Sequence, residues 1–143
     1  MNADPYGLQR FVDAQEDAAI YARALGELRE GRKQGHWIWF VFPQIAGLGS
    51  SPMSQAYAIR SLEEARAYLA HPLLGPRLRE CCEALLAAPP DASADSILGG
   101  IDAIKVRSSM TLFTRADPEQ PIFKAVLDRF YGGEADPETE RRL

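Results

Sequence analysis

GHWIWFVFPQIAGLG, residues 35–49, is the stretch whose reading decides the fold. Its centre, residues 37–42, is dominated by aromatic and β-branched side chains, and a continuous apolar run of this length suits a strand buried on both faces. A lone strand has no partner for its backbone donors and acceptors. No second convincing strand occurs elsewhere, so the run is read as a short buried helix. Trp37, Phe40 and Val41 then share one face, and His36, Trp39 and Phe40 share another.

Outward from this stretch the start and stop signals are helical. Asp4-Pro5 reads as an N-cap followed by proline at the first helical position, with apolar spacing through Leu8, Phe11 and Val12. A second helix is expected over Asp17 to Lys33, with Ile20, Ala24, Leu25 and Leu28 on one face, ending near Gly35. Ser61-Leu62-Glu63-Glu64 is a capping box whose helix should reach Leu69 before His71-Pro72 stops it. Leu74, Leu78, Cys81, Leu85 and Leu86 keep helical spacing until Pro89-Pro90, and Ser93 or Asp95 caps a short turn leading to Gly99-Gly100. Asp117-Pro118 is expected to open a helix through Phe123, Val126, Leu127 and Phe130, closed by Gly132-Gly133. Asp136-Pro137-Glu138 repeats that opening for a last short turn. The longer loops fall around residues 43–54 and 88–100, and nothing repeats at solenoid periods. An all-α chain follows, a single multihelical domain over residues 1–143 with roughly seven to nine short helices.

Composition agrees with one folded domain. The 143 residues are 46% hydrophobic and 25% charged, the balance of a globular protein that folds on its own core. A net charge of −4 repels phosphate backbones, so a nucleic-acid role would need a local basic patch. The beginning, MNADPYGLQ, has no basic region leading into an apolar run, and no stretch approaches the ~20 apolar residues that span a bilayer. A cytoplasmic protein with no membrane partner is expected. Cys81 and Cys82 are neighbours whose helical side chains diverge by about 100°, which disfavours a disulfide between them. There is no CxxC and no His/Cys spacing for zinc, so neither a metal nor a cofactor is expected.

Three features bear on function. In the aromatic run, Trp37 and Trp39 are both core on the simplest reading, but an indole N–H needs an acceptor, and Trp39 is the one placed to line a cleft. His36 beside it is a capping or rim histidine before it is a catalytic one. Pro43-Gln44 and Gly47-Leu48-Gly49-Ser50-Ser51 follow, where backbone N–H groups can gather near a helix start at Ser54 in the way anions favour. The segment lacks the glycine pattern of a dinucleotide fold and the Gly-Lys-Ser/Thr of a P-loop, so a glycine-rich surface turn is the plain alternative. The third feature is IDAIKVRSSMTLF, residues 101–113. Wound as a helix, Ala103, Val106, Met110 and Phe113 form one apolar face and Ile101, Ile104 and Leu112 another, with Asp102, Lys105 and Ser109 between them and Arg107 and Thr111 in the opposite gap. Such a polar stripe is satisfied internally or faces a cavity. Asp102 and Lys105 can form an ordinary i, i+3 ion pair, or Lys105 and Arg107 can hold an anion while Asp102 acts as acid/base.

The chain resembles the DUF1810 family, a domain of unknown function sometimes labelled calpastatin. The resemblance rests on His36-Trp37-Ile38-Trp39-Phe40-Val41-Phe42-Pro43-Gln44, Gly47-Leu48-Gly49-Ser50, Ser54-Gln55-Ala56-Tyr57-Ala58-Ile59, Glu64 to Pro72, Asp102-Ala103-Ile104-Lys105 and Ser108 to Phe113. It covers nearly the whole chain and implies a small, mostly α-helical domain, with no reaction to carry over. The calpastatin label does not suit a chain with a full apolar core, since inhibitors of that kind are flexible polar segments.

The leading expectation is a cleft between residues 36–49 and 102–111 that binds a nucleotide-like or sugar-phosphate ligand, with hydrolysis of that ligand as its extension. Trp39 would stack, and His36, Gln44, Gly47 and Gly49 would meet polar edges. Lys105, Arg107 and Ser109 would hold an anionic group, with Asp102 as catalytic acid/base. Rival expectations are a non-enzymatic module that binds a protein partner through exposed aromatics, and an RNA-binding domain using Arg29, Arg32, Lys33 and His36, which the net charge opposes.

Overall fold

The computed structural model describes residues 4–143. In chain order its helices are α1 (Gln9–Glu16), α2 (Ile20–Glu30), α3 (Ile38–Val41), α4 (Pro52–Ala56), α5 (Leu62–Ala70), α6 (Leu74–Leu86), α7 (Ala94–Leu98), α8 (Gly100–Ala116), α9 (Pro121–Tyr131) and α10 (Pro137–Arg141). The aromatic run is helical as expected: the Phe42 N–H donates to Ile38 O at 2.9 Å, the Phe40 carbonyl accepts from Gln15 Nε2 at 2.8 Å, and Trp37, Ile38, Phe40 and Val41 are buried together. Among the described residues the β structure amounts to one isolated parallel bridge, Ile45 to Ile59. Its two hydrogen bonds, Ala46 N–H to Ile59 O at 2.7 Å and Ile59 N–H to Gln44 O at 2.8 Å, tie the loop after α3 to the segment before α5.

α8 is the axis around which the rest is arranged. At a rise of 1.5 Å per residue its 17 residues span about 25 Å, and it packs against α5, α7, α9 and α10. Its C-terminal half is buried all round from Ser108 to Phe113, whereas its first turns leave Ile101 and Ile104 in solvent. Aromatic rings run through the centre: Phe11 meets Tyr68 at 5.2 Å, Tyr68 meets Phe113 at 5.4 Å, and Phe113 meets Phe123 at 5.8 Å. α6 closes the other side against α2, α5 and α9. The α5–α6 corner is tight, since a Cβ on Gly75 would lie 2.1 Å from the Leu69 carbonyl oxygen.

Several boundaries differ from the sequence expectation. Asp4 does cap the first helix, but its carboxylate accepts from the Leu8 and Gln9 N–H groups, so the regular helix begins at Gln9 and not beside Pro5. The helix expected over Asp17 to Lys33 is broken at its start by Ala18 and Ala19, both at positive φ, and ends at Glu30, where Gly31 takes the left-handed position. Asp117-Pro118 does not open α9. Hydrogen bonding in α8 persists until the Asp117 N–H donates to Phe113 O at 3.0 Å, and the next helix starts at Pro121. Ser61 caps α5 as expected by accepting from the Glu64 N–H, while the Glu64 carboxylate reaches back to the Arg60 N–H and to Arg10. Ser93, Gly132 and Asp136 occupy the capping positions assigned to them. Cys81 and Cys82 are free thiols, fully buried.

Candidate functional site

A cleft of about 480 Å³ opens where α3, the 44–54 loop, the first turns of α8 and the start of α10 meet. That volume lies within the range of small-molecule sites. Other surface depressions are comparable, including one of about 440 Å³ beside Tyr6 and His71. The lining sets this cleft apart: Trp39, Gln44, Gly49 and Ser54 from one stretch of the chain, Lys105 and Ser108 from a second, and Asp136 and Glu138 from a third converge in it. Ile101 and Ile104 form its apolar wall, and they are 74% and 66% exposed.

Each side chain is brought there by local structure. Ser51 caps α4 by accepting from the Ser54 N–H at 3.1 Å, which folds the serine loop back on itself. Gly49 permits this fold, because a Cβ there would lie 2.6 Å from Ser54 Oγ. On α8, Ile101, Ile104, Lys105 and Ser108 fall at i, i+3, i+4 and i+7, one continuous face. Asp136 Oδ2 accepts from Ser108 Oγ at 3.0 Å, from the Thr139 N–H at 3.1 Å and from Thr139 Oγ at 2.6 Å. Burial pushes the Asp136 carboxyl upward, but these donors and the nearby Arg107 outweigh it and hold the group below its ordinary value, so the carboxylate is ionised.

Trp39 is the unusual member. Its indole N–H is closed off from solvent and has no acceptor among the described residues, a situation that costs about 1–3 kcal/mol. The Lys105 ammonium lies 4.8 Å from the Trp39 ring centroid and 3.5 Å from Asp102 Oδ1, too far for a close hydrogen bond. Lys105 is therefore loosely held over the Trp39 ring.

The remaining sequence candidates lie elsewhere. Asp102 is outside the cleft: its Oδ2 pairs with Lys33 at 2.7 Å, and Lys33 also covers the Trp37 ring at 4.9 Å and donates to Gly35 O. Asp102 thus clamps the 33–37 turn to α8, and no proton-transfer role is supported by its position. Arg107 faces away, donating from Nε to Glu134 O at 3.0 Å and from Nη2 to Ala135 O at 2.8 Å. Ser109 is buried in the core with no partner for its hydroxyl among the described residues, and its neighbour Ser108 takes the cleft position. His36 is exposed and outside the lining. Gly47, at φ 98°, packs under Arg142, whose Nε lies 2.9 Å from where a Cβ would stand. Asp136 and Glu138 escaped sequence reading because Asp-Pro-x-Thr signals a helix start and carries no hint of what that start faces.

Among the described residues no group of three or more His, Cys, Asp or Glu side chains could hold a metal, and no helix is long and apolar enough to cross a membrane. The basic segment considered for RNA is partly neutralised: Arg29 pairs with Glu80 at 3.7 Å and Lys33 with Asp102.

A family model described as a protein of unknown function, DUF1810, matches residues 5–143. The chain belongs to the DUF1810 family. A solved structure, that of the conserved hypothetical protein Rv1873 from Mycobacterium tuberculosis, is similar to this DUF1810 protein at 51% sequence identity. It covers 98% of each chain with a TM-score of 0.94. A search of the curated proteins found no match. The neighbour thus shares the helical fold described above across the whole domain, including the elements that build the cleft.

Proposed function

We propose that this DUF1810 protein is a ligand-binding domain whose cleft takes a small, flat, nucleotide-like molecule. The observation that carries the reading is the convergence of Trp39, Gln44, Gly49 and Lys105 in one cleft, with the Lys105 ammonium over the Trp39 ring. A planar ligand replaces Lys105 over the Trp39 ring and rests its apolar edge on Ile101 and Ile104. Gln44 and Ser54 satisfy polar edges. Asp102, engaged with Lys33, is left out of the chemistry, and binding without hydrolysis is the proposal.

The test is a thermal-shift screen of the purified protein with nucleosides, nucleotides and sugar phosphates, repeated on Trp39→Ala and Lys105→Ala, each compared with its own unliganded midpoint. Ligand at ~100 times its Kd stabilises by about 2.7 kcal/mol, which raises Tm by several degrees at this size. A shift in the parent that disappears in both variants supports the cleft. A shift that both variants retain places the ligand elsewhere. A second reading, a contact face for a protein partner, is favoured by the two exposed isoleucines, and concentration-dependent association lost in Ile101→Asp would support it.

A further inference from the structure

We infer that the ligand of this cleft is an uncharged, hydroxyl-bearing heterocycle of the nucleoside type, its hydroxyls received by Asp136, and not a phosphorylated molecule; the inference rests on the cleft reading above. The charged side chains lining the cleft are Lys105, Asp136 and Glu138, an excess of one negative charge. A phosphate site of the usual kind needs a guanidinium or several free N–H donors. Arg107, the nearest arginine on α8, is committed to the carbonyls of Glu134 and Ala135. Lys105 is the single cation on the lining, against two carboxylates.

The two acids differ in what they have left to offer. Glu138 is engaged on both oxygens, Oε1 by Arg142 at 3.2 Å and Oε2 by Arg141. Asp136 takes all three of its donors on Oδ2, and Oδ1 accepts no hydrogen bond among the described residues. A half-buried carboxylate on the lining of a cleft, with one oxygen satisfied and the other accepting no hydrogen bond among the described residues, is a receptor for O–H donors, as carboxylates are for ribose hydroxyls in dinucleotide sites. The same oxygen repels a phosphoryl group, and it does so more strongly at low ionic strength. The aromatic surface of Trp39, the apolar wall of Ile101 and Ile104, and an open carboxylate oxygen describe a ring carrying a neutral polyol.

Titration calorimetry with adenosine, uridine, their 5′-monophosphates and their 2′,3′-dideoxy forms tests this at low and high salt. The nucleosides are expected to bind at least ~10-fold more tightly than the monophosphates, with the gap narrowing at high salt, and the dideoxy forms are expected to lose a similar factor. Asp136→Asn should erase the preference for hydroxyls. Because Asp136 also caps α10, Glu138→Gln provides a second readout, which should narrow the gap between nucleoside and monophosphate. Monophosphates that bind as tightly as nucleosides, or dideoxy forms that bind equally well, overturn the inference and leave the cleft reading standing. No binding by any of these probes removes both.

Discussion

Ser108 and Ser109 are sequence neighbours with opposite circumstances. The Ser108 hydroxyl donates to Asp136, whereas the Ser109 hydroxyl is buried without a partner among the described residues. Ser109→Ala should therefore leave stability unchanged or raise it by up to about 1 kcal/mol, and Ser108→Ala should lower it by about 1–2 kcal/mol, read as urea midpoints. The reverse order would mean that the hydroxyl assignments are exchanged. Glu27 offers a residue-scale test by pH. Its Oε1 accepts from the N–H groups of Gln34 and Gly35 and from the Trp37 indole, all at 2.7–2.9 Å. Burial pushes this carboxyl up, but those donors and Lys33 outweigh it and hold the group below its ordinary 4.5. A folded-state value below the unfolded one means that the unfolded chain binds more protons in acid. The contribution is therefore complete above about pH 4.5 and is lost as pH falls through the folded value. Glu27→Gln should cost about 1–2 kcal/mol at neutral pH and flatten the acid limb of stability against pH. An unchanged acid limb would assign that limb to other carboxylates.

At the scale of the element, α8 shows how far periodicity carries. The residues expected to be apolar on it are buried where they fall in its C-terminal half, but the face of Ile101 and Ile104, expected to be buried as well, is the exposed wall of the cleft. Trp39, Gln44, Gly49 and Lys105 were legible as site candidates because their residue types are costly or unusual where they stand: an indole, an amide beside proline, a loop glycine and a cation between apolar faces. Asp102, Arg107 and Ser109 were misplaced because a polar stripe read from the helix alone gives no indication of which neighbour it meets. The α5–α6 corner yields a sharper element-scale prediction. Gly75→Ala drives a Cβ into the Leu69 carbonyl, which is backbone and cannot turn aside. It should cost at least about 2 kcal/mol, more than a glycine-to-alanine change gains in an ordinary helix interior, where alanine is favoured by about 1 kcal/mol. A Tm equal to or above that of the parent would show that the corner has room to open.

For the molecule as a whole, the ring column through Phe11, Tyr68, Phe113 and Phe123 joins the N-terminal helix to α5, α8 and α9, so the helices form a single cooperative unit. Phe113→Ala removes a fully buried ring from its middle and should cost about 3–5 kcal/mol. Far-UV circular dichroism and tryptophan fluorescence should still report one coincident unfolding transition, and separated transitions would reveal two cores. The amino-acid sequence by itself determined the helical class, most of the caps, the identity of the core and the family resemblance, because capping and amphipathicity act over one or two turns and are written in adjacent residues. Only the tertiary structure decided that Lys33 would claim Asp102, that Arg107 would turn to the α9–α10 connection, and that Asp136 and Glu138 would line the same cleft as Trp39. Those are contacts between residues distant in the chain. Their partners are set by how the helices pack, and nothing local to either residue specifies the other.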